Sequence, residues 1–166
     1  MKHLISGAIM FAVFILQNTL SSHMEILGIA PSFMLVLIVA HALWCESPWE
    51  CLIYSGAGGA LLDLMWGRVF GFGFILMIYV GIMVFYAGEY FYKHTAMKSA
   101  ILMFFATILW ESLFYLASFT LFGDTRFLYT FFRIIVPAGA YNAMILVLVN
   151  GIMGAIHQKK KDGEQA

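Results

Sequence analysis

Three ionisable side chains lie inside otherwise apolar stretches of this chain. They are Asp63 in YSGAGGALLDLMWG, Glu111 in LWESLFYLAS and Arg133 in FFRIIVP. An ionisable group at membrane depth costs about 2.5 to 3.5 kcal/mol on insertion scales, so each one needs a partner or a watery cavity. Such a residue can mark a transport pathway, a catalytic centre or a structural joint, and the neighbouring residues help to distinguish these.

Asp63 shares a helix face with glycines. Counted from Gly56, the residues Gly59, Asp63 and Gly67 fall at i+3, i+7 and i+11, which aligns them along one side of a helix. Small residues let a neighbouring helix approach closely, and a carboxylate among them can then reach a donor across the contact. This pattern favours a structural pairing or helix-capping role for Asp63 over a partner interface or a substrate contact.

Two kinds of donor could hold the Asp63 carboxylate. One is a cation, with Arg133 the span-embedded candidate closest in depth and Arg68 an alternative. The other is the set of exposed backbone N–H groups around residues 71–73. Both remain open at the level of the sequence.

Glu111 lies on a polar stripe with Thr107 and Tyr115, one helical turn to either side. The stripe could line a cavity or could cross-link helices by hydrogen bonds, and the second is commoner in membrane bundles.

Arg133 is expected to extend to the membrane–water interface, with neutralisation of Asp63 or Glu111 as the alternative. Pro137 is expected to loosen the turn that precedes it.

Catalytic and metal-binding patterns do not occur in the sequence. There is no G-x-S-x-G, H-E-x-x-H or P-loop, and the five histidines are scattered over separate segments. The formal net charge of zero argues against a nucleic-acid partner, which would select a basic surface. We therefore predict no enzyme activity, no metal and no cofactor.

The composition predicts an all-α integral membrane protein, because 63% of the 166 residues are hydrophobic and only 11% are charged. Apolar segments predict a bundle of about six transmembrane helices in a single domain, residues 1–156, followed by a basic cytoplasmic tail at 157–166. The second and third segments are marginal or re-entrant spans. The six segments cover residues 3–22, 31–45, 51–67, 70–92, 97–122 and 128–156.

The distribution of basic residues indicates the orientation. With both termini in the cytoplasm, all six lysines lie on the inner side and all three arginines on the outer side. A five-helix arrangement would place Lys2 or the lysine run at 159–161 on the wrong side, so it ranks second.

We also expect Gly81 and Gly88, seven residues apart on one face, to line an outer groove for a partner helix.

Several short motifs together resemble the rod shape-determining protein MreD family. The polar pair that ends the first helix, the break LGIAPSFMLVLIVAHAL and the run GAGGALLDLMWGRVFGFGFI carry the resemblance. The family pattern has a proline opening the second helix, a third helix ending in G-x-L-x-D and a glycine pair starting the fourth. It falls on Gln17, Asn18, Pro31, Gly56, Gly59, Leu62, Asp63, Gly71 and Gly73. From about Lys98 onward the resemblance rests on hydropathy alone.

This resemblance implies a scaffold of the cell-wall elongation machinery in the bacterial inner membrane. The implied partners are an MreC-like single-span protein, the glycosyltransferase RodA, a class B penicillin-binding transpeptidase and the MreB filament, all in contact with or beside the lipid bilayer. Together with Glu111 and Arg133, the motif residues are the candidates for structural or partner-interface sites.

The family also implies the six-helix fold of the substrate-binding subunits of energy-coupling-factor vitamin transporters. Such a subunit is the alternative function. Ala8 and Ala12 satisfy the alanine-x-x-x-alanine motif through which those subunits dock on the transporter core. A substrate-binding subunit would need a pocket in which several polar groups converge.

Overall fold

A computed structural model describes residues 2–20, 29–45, 47–66, 71–90, 96–122 and 127–164. The fold is an all-α membrane bundle, as predicted. Five helices come first: α1 (Lys2–Leu20), α2 (Phe33–Trp44), α3 (Pro48–Trp66), α4 (Phe72–Tyr90) and α5 (Ala96–Phe122). A sixth, continuous rod is formed by α6 (Phe127–Thr130), a π-helical turn (Phe131–Ile135) and α7 (Val136–Glu164).

The short helix α2 occupies the centre of the bundle. It packs against α1, α3, α4, α5 and α7, and eight of its 12 residues are buried. A helix that is apolar on every side is expected in such a position. At 1.5 Å per residue α2 extends for only about 18 Å, which is less than the thickness of the hydrocarbon core of a membrane, about 30 Å.

Three of the described helices are long and apolar enough to cross a membrane by themselves, through the ranges Phe72–Tyr90, Ala96–Ala117 and Leu128–Gly151. Two shorter apolar helices cover Ser6–Thr19 and Phe33–Trp44. Helix α3 begins at Pro48, three residues before the predicted start, because proline is tolerated in the first turn, where its missing N–H group would have no helical partner.

Helices α3 and α4 pack closely against each other through their glycines. A Cβ atom added to Gly59 would lie 2.8 Å from the carbonyl oxygen of Gly73, 2.8 Å from the Cα of Phe74 and 2.9 Å from the Cβ of Met77. Backbone atoms cannot move aside as a flexible side chain can. The two helices can therefore pack at this distance only with a glycine at position 59.

The expectation that Gly81 and Gly88 line an outer groove is wrong. Both glycines are buried. A Cβ on Gly81 would collide with the side chain of Ser55, and one on Gly88 would lie 3.2 Å from Leu43. They permit close packing inside the bundle, against α3 and α2, and do not face a partner.

The π-helical turn at Phe131–Ile135 ends two residues before Pro137 in the last rod. Proline has no N–H group, and its ring displaces the carbonyl one turn earlier, so a local wide turn is one way to continue the helix. This agrees with the expectation that Pro137 loosens the preceding turn.

The contact between α3 and α4 can be tested with a single methyl group. Gly59→Ala should destabilise the protein by about 1 to 3 kcal/mol, because the added Cβ would overlap the α4 backbone. Gly151→Ala is the matched control, since a Cβ there meets nothing within 4 Å. Alanine at position 151 should be neutral or stabilising because of its higher helix propensity. Thermal unfolding in mild detergent measures both, and equal stability of the two variants would contradict the close contact.

Candidate functional site

Asp63, at the end of α3, caps the beginning of α4. One carboxylate oxygen accepts hydrogen bonds from the N–H groups of Gly71 at 3.0 Å and Phe74 at 2.9 Å, and the other accepts one from Gly73 at 2.9 Å. The side chain is only 7% exposed. The first N–H groups of a helix have no partner within the helix, and the partial positive charge there favours a carboxylate.

Glycines at positions 71 and 73 make this cap possible. Gly71 has φ +93°, a left-handed conformation that other residues rarely adopt. A Cβ on Gly73 would collide with the Asp63 carboxylate. The glycine pair of the motif therefore shapes the turn and lets the carboxylate reach the backbone of α4.

Arg133 does not hold Asp63 or Glu111. Its side chain is exposed and donates a hydrogen bond to the Tyr129 hydroxyl, and its guanidinium carbon lies 5.2 Å from the centroid of the Tyr129 ring. The proposed pairing of Asp63 with Arg133 is thus wrong, and the backbone donors take that place. Arg68, the alternative cation, lies outside the described residues.

Helix α2 begins inside the bundle and is capped by side chains from two other helices. The amide oxygen of Gln17 in α1 accepts a hydrogen bond from Met34 N–H at 2.7 Å. The amide oxygen of Asn142 in α7 accepts one from Ser32 N–H at 3.0 Å. Pro31 precedes this start and contributes no N–H group. Three helices thus lend polar side chains to the starts of α2 and α4.

A cavity of about 210 Å³ lies at this end of the bundle, where α1 and α3 end and α2 and α4 begin; we call this the capped end. Predicted site residues from five places in the sequence line it, namely Gln17, Pro31, Asp63, Gly73 and Glu111. Apolar lining comes from Leu62, Trp110 and Phe114. Three of the polar candidates, Gln17, Asp63 and Glu111, therefore converge, a point that the sequence left open.

Glu111 lines the capped-end cavity and does not cross-link helices. Among the described residues, its half-buried carboxylate has neither a hydrogen-bond nor an ion-pair partner. Within the described residues, Glu111 therefore follows the cavity-lining alternative for the stripe and not the favoured cross-linking. Thr107 on the same stripe does form such links, since it donates to Met103 C=O at 2.9 Å and accepts from the Asn142 amide at 3.4 Å.

The remaining candidates lie outside the cavity lining. Asn18 is exposed and donates to the Phe14 carbonyl of its own helix at 3.0 Å. Gly56 is buried, and a Cβ there would lie 3.2 Å from Phe74 of α4. Gly71 forms the turn before α4 without lining the cavity. Asn18 and Gly56 thus have local or packing contacts and do not contribute to the pocket.

Two features of the capped end were not predicted from the sequence. Asn142 stands out in the sequence as a polar residue inside an apolar segment, but its partners could not be read from it: only 1% exposed, it links α2 to α5 through Ser32 and Thr107. Trp110 and Phe114 stack with ring centroids 6.0 Å apart and an interplanar angle of 21°. Their i, i+4 spacing around Glu111 could have indicated an aromatic wall.

A second concavity, the α1–α3 groove, lies near the opposite end of the bundle. It has a volume of about 510 Å³ and is lined by Gly7, Met10, Glu50, Ile53, Tyr54 and Ala57. A Cβ on Gly7 would meet nothing within 4 Å, so the groove is open there. Glu50 is its acidic residue, and one of its carboxylate oxygens accepts a hydrogen bond from the Cys45 thiol at 3.8 Å.

The cap on α4 can be tested by reducing the number of hydrogen-bond acceptors at position 63. Asp63→Leu leaves three N–H groups without an acceptor and should cost several kcal/mol, whereas Asp63→Asn retains one acceptor oxygen and should cost less. Arg133→Gln is the control and should change thermal stability little, because Arg133 is exposed and donates its hydrogen bond to Tyr129 and not to Asp63. If Arg133→Gln were as damaging as Asp63→Leu, the backbone-capping geometry would be contradicted.

Comparison with known proteins adds a family to this geometry. No curated protein matches the chain, and no solved structure does. The family model described as rod shape-determining protein MreD matches residues 2–160, nearly the whole chain. That match covers both the Asp63 cap with its two glycines and the second half of the chain, where the motif resemblance was limited to hydropathy. This membrane protein therefore belongs to the MreD family of rod shape-determining proteins.

Proposed function

We propose that this protein is a non-enzymatic scaffold of the cell-wall elongation machinery and that it binds an MreC-like single-span protein through the α1–α3 groove. The groove is the observation that carries the proposal. It is apolar apart from Glu50 and the Tyr54 hydroxyl, and Gly7 and Ala57 leave room for a helix to approach closely. RodA, a class B penicillin-binding transpeptidase and MreB are the further expected members of the assembly.

The charge at the end of the groove favours a particular kind of partner helix. Glu50 lies in the first turn of α3, which starts on the cytoplasmic side if both termini are cytoplasmic. Single-span proteins that start in the cytoplasm carry basic residues at this level of the membrane. A partner helix with small residues facing the groove and Lys or Arg near Glu50 would match both its shape and its charge.

The described polar side chains support a scaffold over a catalyst. Asp63, Gln17 and Asn142 accept hydrogen bonds from helix starts, so their oxygens already have structural partners. The described part of the chain holds no group of three or more His, Cys, Asp or Glu side chains that could bind a metal ion. The bundle is thus organised to hold its own helices in fixed positions, which suits a binding role.

The groove can be tested by filling it. Ala57→Leu should reduce recovery of the MreC-like partner in a pull-down, roughly tenfold or more, without lowering the amount of protein in the membrane, because Ala57 is exposed and the substitution does not alter the core. Ala140→Leu makes the same change at an exposed position of α7 and should leave partner recovery unchanged. In cells that have only one of these variants, rod shape should be lost with Ala57→Leu and kept with Ala140→Leu, in parallel with partner recovery.

Mass spectrometry of the proteins that co-purify with the unaltered chain separates the two functions considered. Recovery of an MreC-like protein and a transpeptidase supports the scaffold. Recovery of an energy-coupling transmembrane subunit with its ATPases would contradict the scaffold role and support the alternative function, a substrate-binding transporter subunit. Normal partner recovery by Ala57→Leu would instead move the interface away from the α1–α3 groove.

We further propose an inner-membrane location with both termini in the cytoplasm. Six membrane crossings, with lysines inside and arginines outside, follow from the charge distribution. A reporter that is active only in the periplasm should stay silent when fused after Gln158, whereas the same reporter inserted in the segment 123–126 should be active. The reverse pattern would overturn this orientation.

A further inference from the structure

The capped-end cavity contains polar groups that the fold does not use. Asp63 is saturated by three backbone donors, and the Gln17 oxygen is occupied by Met34 N–H. The Glu111 carboxylate and the Gln17 amide nitrogen have no hydrogen-bond partner within the described parts of the chain. One acceptor group and one donor group therefore face the same cavity unpaired.

The charge of this cavity is unbalanced. Two of its lining residues carry carboxylates, Asp63 and Glu111, and no described lysine or arginine lines it. The dipole of α4 compensates Asp63 alone, because its N–H groups point at that side chain. A carboxylate at membrane depth needs a counter-charge, and no described residue of the lining supplies one for Glu111, so a cationic occupant would match this cavity.

The shape and the walls restrict that occupant to a small group. A volume of about 210 Å³ is below the range of 300 to 1,000 Å³ typical of pockets for drug-sized ligands. Trp110 and Phe114 stack beside Glu111, and Phe72 approaches Phe114 with ring centroids 6.1 Å apart. Aromatic faces attract cations, and apolar walls accept a short alkyl stem.

We propose that the capped-end cavity binds a primary ammonium group on a short, oxygen-bearing stem, as in ethanolamine. The ammonium pairs with Glu111 against the aromatic wall, and the oxygen of the stem accepts a hydrogen bond from the Gln17 amide nitrogen. An aminophospholipid headgroup and a free amino alcohol share this chemistry. The proposal does not depend on the partner or on the scaffold role.

The test uses the intact protein in nanodiscs of defined lipid. In discs that mix phosphatidylethanolamine and phosphatidylglycerol, native mass spectrometry should show one phosphatidylethanolamine retained after the disc is removed. Glu111→Gln should lower the retained fraction roughly tenfold, the effect expected for loss of one charge-assisted hydrogen bond. Glu89→Gln, at an exposed glutamate at the other end of α4, should leave retention unchanged.

A second arm identifies the source of the ammonium group. In discs of phosphatidylglycerol alone, ethanolamine is added and tryptophan fluorescence is measured. If the natural ligand is a free amine, the fluorescence of Trp110 should change, and this change should be absent in Trp110→Phe. Retained phosphatidylethanolamine without a response to ethanolamine assigns the site to the lipid headgroup, and either result supports the proposal. Equal retention of the two lipids with no ethanolamine response, or a Glu111→Gln variant that binds like the parent, would overturn it. Trp110→Phe should retain the lipid with reduced occupancy.

Discussion

The structure depends on one constraint: the first N–H groups of α2 and α4 start within a bundle that offers them little water. Each such group left without an acceptor costs several kcal/mol in an apolar medium. The chain meets this cost with side chains from other helices, Gln17 and Asn142 for α2 and Asp63 for α4. Because each capping hydrogen bond joins two helices, the caps that satisfy these backbone N–H groups also determine how the helices are placed relative to one another.

Glycine placement follows from the same constraint. A carboxylate can reach the start of α4 only if the ends of α3 and α4 lie close together, and Gly59 and Gly73 remove the atoms that would prevent this. The loss of helix propensity at each glycine, about 1 kcal/mol, is small beside three unsatisfied N–H groups. The glycine-rich face of α3 is thus explained by the geometry of the cap, without a ligand or a partner.

Local features of this site could be predicted from the sequence, whereas its pairings could not. The spacing of Gly56, Gly59 and Asp63 on one helix face correctly indicated a close helix contact with a carboxylate in it. The choice between Arg133 and backbone donors depended on how Arg133 and the start of α4 are placed relative to Asp63, which no local sequence pattern determines. The link from Asn142 to Ser32 joins residues 110 positions apart, and the described lining of the cavity around Glu111 comes from four helices and the segment before α2.

The two ends of the bundle differ in how their polar groups are used, and this difference bears on binding. At the capped end, hydrogen bonds between helices fix the walls of the cavity before any occupant arrives, so little ordering cost remains when it binds. In the α1–α3 groove the lining is mostly apolar, and close packing of small residues is the main source of affinity available in lipid. Gln17 on α1 and Asp63 on α3, which cap α2 and α4, belong to the two helices that form the groove. The caps therefore fix the position of each groove helix against a neighbour in the bundle, and the scaffold role proposed above would use this constraint to present the groove to a partner helix.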